Sequence, residues 1–127
     1  MTKKTIQTNQ APAAIGPYSQ AVVVGNLVFT SGQLPANPQT GELVTGNVQD
    51  EAKQCLENVK AILEAAGTSM DNVVKCTVFI KDMNQFGLIN EVYAQYFPNE
   101  KPARSCVEVA RLPKDVSVEI EAVAVIL

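Results

Sequence analysis

Hydrophobic and polar residues alternate along this chain with two periods, and the points where the period changes divide it into elements. Ala21-Val22-Val23-Val24 and Leu27-Val28-Phe29-Thr30 are β-prone runs separated by Gly25-Asn26, a pair suited to a two-residue turn, and together they predict an antiparallel hairpin. From Asn47 the spacing becomes helical: Val48, Ala52, Cys55, Leu56, Val59, Ile62, Leu63 and Ala66 recur three and four apart, with Asn47 as N-cap and Gly67 closing the end. Val74, Cys76, Val78 and Ile80 then alternate with Lys75, Thr77, Phe79 and Lys81, which predicts a strand with one strongly apolar face. Asp82 to Phe97 returns to helical spacing, with Phe86, Ile89, Tyr93, Tyr96 and Phe97 on one face and Pro98 as a stop. Two more strands, Arg104 to Val109 and Val116 to Ile126, are linked by a turn at Pro113-Lys114-Asp115.

These elements predict an α+β fold of order ββαβαββ, a mixed sheet with two helices on one face, in a single domain over residues 1–127. Ser31 to Gly46, with Pro35, Asn37-Pro38 and Thr40-Gly41, reads as an irregular loop whose length marks it as a place for a site. The last strand is apolar on both faces: Val118, Ile120, Ala122 and Ala124 on one, Val123 and Val125 on the other, with Leu127 just beyond. Two helices cover only one face of such a sheet, so the second face needs a partner and an oligomer is expected.

Composition removes several function classes. No stretch approaches the roughly 18 apolar residues of a membrane span, and Met1-Thr2-Lys3-Lys4 leads into polar residues, so the expected compartment is the cytosol. Three cysteines, 21 and 30 residues apart, form neither a disulfide framework nor a zinc pattern. With a net charge of −3 and its ten Lys and Arg scattered, the chain is a poor partner for nucleic acid. It contains no histidine, so proton transfer falls to carboxylates, Tyr, Cys, Arg, backbone groups or water, and neither a metal centre nor a cofactor is expected.

Period-two geometry puts Arg104, Cys106 and Glu108 on one face of the penultimate strand. A guanidinium at a strand entrance, beside backbone N–H groups, suits a planar carboxylate because its fork makes two parallel charge-assisted bonds. From the pattern alone an ion pair with Glu108 or a neighbouring strand is the plainer reading. Glu119 and Glu121 share a face of the last strand roughly 6.6 Å apart, so burial of either favours a protonated carboxyl able to move a proton or orient water; a solvated sheet edge is the alternative. Cys106 lacks a base to make its thiolate and reads as a packing or backbone residue, while Cys55 and Cys76 fall on apolar faces as small core residues. Tyr18, in the turn Gly16-Pro17-Tyr18-Ser19-Gln20, either caps a pocket and holds a water or covers the hairpin core. Ser31-Gly32-Gln33 either approaches a ligand closely or only shapes the loop.

Gly16-Pro17-Tyr18-Ser19-Gln20, Thr30-Ser31-Gly32-Gln33, Pro102-Ala103-Arg104-Ser105-Cys106-Val107-Glu108-Val109 and Val118-Glu119-Ile120-Glu121-Ala122, in that order and spacing, resemble the Rid/YjgF family over almost the whole chain, and its reactive intermediate deaminase A subgroup most. The resemblance implies a chorismate-mutase-like (YjgF-like) fold assembled as a homotrimer with clefts between subunits. It implies hydrolytic deamination of 2-aminoacrylate/2-iminopropanoate and 2-aminocrotonate/2-iminobutanoate to 2-oxo acids and ammonia, without a cofactor. Carried over, Arg104 anchors the substrate carboxylate, Cys106 offers its backbone N–H, Tyr18 and Glu119 position water, and Ser31, Gly32 and Asn90 line the cleft. A non-catalytic carboxylate-binding or chaperone-like trimer is the first alternative the resemblance allows, and an endoribonuclease or translation inhibitor the second. The connection Pro98-Asn99-Glu100-Lys101 is short and charged beside the longer, more apolar version of many relatives, a departure that bears on the cleft rim.

Overall fold

The computed structural model describes residues 2–127. Its strands are β1 (Lys3–Ile6), β2 (Ala21–Val24), β3 (Leu27–Thr30), β4 (Val73–Ile80), β5 (Ala103–Glu108) and β6 (Val118–Val125), with helices α1 (Val48–Ala65) and α2 (Phe86–Tyr96). They form one mixed sheet in the order β1-β2-β3-β6-β4-β5, in which only β4 and β5 run parallel, as a strand pair joined through a helix requires. The expected order thus gains an N-terminal strand. Of its four residues only Ile6 is buried, so β1 carries almost no apolar signature and is held by pairing with β2.

Helix α1 starts and stops where its sequence dictates. Asn47 accepts the N–H groups of Gln49 (2.8 Å) and Asp50 (3.2 Å). At the other end Gly67 takes φ 92°, which lets its N–H reach Glu64 O and that of Thr68 reach Leu63 O. The apolar face of α1 packs on β3, β6 and α2, with Leu56, Val59, Ile62 and Leu63 wholly enclosed. Truncating one such leucine to alanine costs about 2–5 kcal/mol, a large share of the roughly 5–15 kcal/mol that keeps a domain folded.

The last two strands shift by one or two residues from the periodic reading, and two other places differ in kind. A bulge between Val73 and Lys75 shifts the β4–β6 register, so Val73 enters the core and Val74, expected on the apolar face, is 44% exposed. Residues Met83–Gln85 form a 3₁₀ turn before α2, with Asp82 accepting the Asn84 N–H at 2.9 Å.

The helices cover one sheet face. On the other, Val22, Leu27, Phe29, Val123, Val125 and Phe79 remain partly exposed around the pair Glu119 and Glu121. No helix is long and apolar enough to cross a membrane among the described residues.

Candidate active site

Arg104 stands opposite Cys76 in the β4–β5 register, and Cys76 is fully buried beneath the helices, so the arginine belongs to the helix-covered face. Helix α2 receives it there: Asn90 Oδ1 accepts from Arg104 Nη1 at 2.6 Å, and the guanidinium carbon lies 4.7 Å from the Tyr93 ring centroid and 5.3 Å from that of Phe86. No carboxylate forms an ion pair with it among the described residues. Glu108, the partner suggested by pattern alone, instead accepts the Met83 N–H at 2.8 Å.

β5 is an edge strand, and its backbone adds to this arrangement. Val109 donates its N–H to Ile80 O at 2.9 Å, so the two-residue period turns the N–H groups of Ala103, Ser105 and Val107 toward β4. Those of Arg104, Cys106 and Glu108 then point out along the free edge. Burial raises the Cys106 thiol above its ordinary pKa, against a smaller lowering by Arg104, so the side chain stays a neutral thiol while its N–H is offered outward.

The other residues singled out in the sequence assemble elsewhere. Glu119 pairs with Phe79, one residue out of step with Cys76, Val78 and Ile80, and therefore stands on the sheet face that the helices leave open. With Tyr18, Ser31, Gly32, Lys114 and the exposed Ile15 it lines a cleft of about 760 Å³. Within one chain, Arg104, Cys106 and Asn90 thus lie on one side of the sheet and Tyr18, Ser31, Gly32 and Glu119 on the other.

The cleft is built by tight local bonding. Ser31 donates Oγ to Ser19 O (2.6 Å) and its N–H to Gln20 O (2.9 Å), which ties the loop after β3 to the turn that carries Tyr18. Gln33 and Ile120 exchange both backbone hydrogen bonds, laying Gly32 against Glu119. A Cβ on Gly32 would fall 1.9 Å from Glu119 Oε2, so only glycine permits this approach. Gly32→Ala is accordingly expected to keep the fold but displace the carboxylate; if Glu119 takes part in turnover, the displacement cuts kcat by about tenfold or more while KM changes little. Unchanged kinetics would separate Glu119 from the chemistry.

Burial, and secondarily the charge of Glu121, raise the Glu119 carboxyl above its ordinary pKa. The folded chain therefore favours its neutral form. Below the ordinary carboxylate value of about 4.3 the group is protonated folded or unfolded and contributes nothing; as pH rises through the folded value the unfolded chain ionises first and stability is lost. Glu119→Gln should raise the melting temperature at neutral pH, and the gain should vanish below about pH 4. A gain independent of pH would point to packing instead.

Sequence reasoning missed several supporting residues. Asn58, wholly buried on α1, donates Nδ2 to Leu34 O (3.1 Å) and Ala36 O (2.9 Å) and fixes the cleft loop. Gln20 is buried and holds residues 8–12 through Thr8, Ala11 and Pro12. Lys114 reaches the cleft from a turn in which it and Asp115 both adopt left-handed φ, 56° and 57°. None carries a periodic signal, although an amide inside an apolar helix stripe is a cue to a buried hydrogen bond.

A helix-backed mixed sheet, with a guanidinium cradled by α2 on its edge strand and a carboxyl-lined cleft on its open face, defines the chain as a small α+β protein with polar groups gathered on opposite sides of the sheet. Comparison with known proteins agrees. The family model described as Endoribonuclease L-PSP matches residues 8–126. A 2-iminobutanoate/2-iminopropanoate deaminase of Escherichia coli is 58% identical over 125 residues, 96% of this chain and 97% of the relative. A RutC family protein of Pyrococcus horikoshii is 59% identical over 122 residues, 96% and 97% of the two chains. The crystal structure of E. coli TdcF with bound serine superposes with a TM-score of 0.92 at 58% identity, covering 96% of this chain and 98% of that one. The chain belongs to the Endoribonuclease L-PSP family, the Rid/YjgF family that its sequence tracts resemble.

Proposed function

We propose that this protein is a cytosolic, cofactor-independent deaminase that hydrolyses 2-iminobutanoate and 2-iminopropanoate, with their enamine tautomers, to 2-oxo acids and ammonia. The observation that carries the reading is Arg104: a guanidinium with no carboxylate partner among the described residues, on an edge strand whose alternate N–H groups point outward. The 58% identity to the E. coli deaminase supports the reaction, and the serine held by TdcF carries the kind of α-carboxylate that Arg104 is suited to bind.

The site is formed between subunits of a homotrimer. Arg104 and the Cys106 N–H come from one chain, and Tyr18, Ser31, Gly32 and Glu119 come from its neighbour. The support is their separation across the sheet, together with the apolar open face that assembly would bury. Arg104 anchors the carboxylate and sets the C=N carbon toward a water held by Tyr18 and Glu119. The water oxygen bonds to that carbon while the C=N electron pair moves to nitrogen. Glu119, its pKa raised, carries one proton from the attacking water to the imine nitrogen, giving the tetrahedral amino alcohol; as its C–N bond breaks, the hydroxyl proton passes to the departing nitrogen, releasing ammonia and the 2-oxo acid. Imines already hydrolyse in water unaided, so orientation and a carboxyl that helps move the protons suffice.

A small acid is preferred over RNA because the chain is net negative and its cleft combines one lysine with a carboxyl, which gives few phosphate contacts. The test is to generate 2-iminobutanoate with a dehydratase acting on threonine and follow 2-oxobutanoate. The protein should accelerate its appearance well above the spontaneous rate. A rate equal to the spontaneous one, with the same protein binding 2-oxobutanoate, would leave a carboxylate-binding trimer in its place.

A further inference from the structure

Phe86, Asn90 and Tyr93 stand at positions i, i+4 and i+7 of α2, one face of the helix, and all three meet the Arg104 guanidinium. We infer that this face of α2 is a guanidinium cradle, in which Phe86 and Tyr93 are positioning residues for the reaction and Asn90 holds the guanidinium through its Oδ1. The inference rests on the deaminase reading and adds what makes its anchor directional.

Arginine is long and flexible, and on an edge strand it has no second strand to hold it. A carboxylate fork requires the guanidinium plane to be fixed, because both N–H···O bonds form only in one orientation. In the cradle two aromatic rings supply cation–π attraction and limit rotation of the plane. The 2.6 Å bond from Nη1 to Asn90 fixes one edge, which leaves the remaining N–H groups for an anion beside the Cys106 N–H. Asn90 Oδ1 is engaged by Arg104, which commits this oxygen to holding the guanidinium.

Tyr93 allows the ring to be separated from the hydroxyl. It is 7% exposed, and its buried Oη lies beside the Cys76 thiol and makes no hydrogen bond to Arg104 among the described residues. Burial, and then the neighbouring Cys76, raise its pKa, so the phenol remains neutral. Nothing in the cradle requires the hydroxyl; it requires the face of the ring.

The experiment compares Tyr93→Phe, Tyr93→Leu, Phe86→Leu and Asn90→Ala for deamination and for calorimetric binding of 2-oxobutanoate. Tyr93→Leu and Phe86→Leu should each weaken binding and kcat/KM by about tenfold, the equivalent of a partly desolvated cation–π contact, and Tyr93→Phe should restore both. In Arg104→Ala, added guanidinium chloride at non-denaturing concentration should recover part of the activity, and the recovery should disappear when Tyr93→Leu is combined with it. A purely structural tyrosine would not show that dependence. If Tyr93→Phe is as defective as Tyr93→Leu, the hydroxyl matters and the cradle is wrong. If the folded leucine variants bind 2-oxobutanoate as tightly as wild type, the cradle is likewise wrong. A wild-type protein that binds 2-oxobutanoate yet deaminates nothing overturns the deaminase reading alone, because the binding comparison still tests the cradle.

Discussion

Arg104→Ala should lower kcat/KM for imine hydrolysis by at least about a hundredfold, since two charge-assisted bonds to a carboxylate are lost and each is worth roughly 1.5–3 kcal/mol. The fold should survive, because Arg104 is only half-buried and anchors no core contact other than its packing on α2. Arg104→Lys should fail nearly as badly: the charge remains but the planar fork does not. Cys106→Ser serves as the contrast. It keeps the backbone N–H and removes only a thiol whose pKa burial has raised, so most of the activity should remain. Steady-state kinetics together with melting curves decide the matter. An active Arg104→Ala beside an inactive, folded Cys106→Ser would replace the anchor with thiol chemistry.

Mixing two inactive variants should restore activity. Arg104→Ala chains retain Tyr18, Ser31, Gly32 and Glu119, while Glu119→Gln chains retain Arg104 and the Cys106 N–H, and these halves occupy opposite faces of each chain's sheet. If every cleft joins one half from each of two subunits around a closed ring, random reassembly of equal amounts should return about a quarter of the wild-type sites, one intact cleft in each mixed trimer. Size-exclusion chromatography would verify reassembly and ammonia release would report the recovered sites. A mixture no more active than the sum of its components would place the site within one subunit. It would also contradict the face assignments of Arg104 and Glu119.

Most of the sheet and both helices are visible in the sequence because burial imposes its period on them: α1 and β6 follow theirs almost residue for residue. β1 is not visible, since its stability comes from backbone pairing with β2, which is indifferent to side chains. The misplaced Val74 has a related cause. A bulge changes side-chain parity through backbone geometry, and a run of two valines before Lys75 does not reveal which of them turns inward. At the site, residue identities were readable as candidates because Arg104 and Glu119 are charged residues placed within strands. Their separation is also implicit in strand parity, but only once the β4 register relates the two strands. The α2 aromatics escaped because Phe86 and Tyr93 satisfy a helix's apolar stripe as readily as they face a cation.

The free edge of β5 has a consequence for solubility. An edge strand with unclaimed N–H and C=O groups is a template onto which a foreign strand can add, the first step of ordered aggregation. Here the edge is six residues long, and Arg104 and Glu108 bring charge to it. The arginine proposed to hold substrate is thus also one of the two charges on this edge, and its removal would leave the run Ser105-Cys106-Val107 flanked by charge on one side only. An apolar residue in place of Arg104 would lengthen the uncharged edge as well as remove the anchor proposed for substrate, so one guanidinium bears on both self-association and turnover.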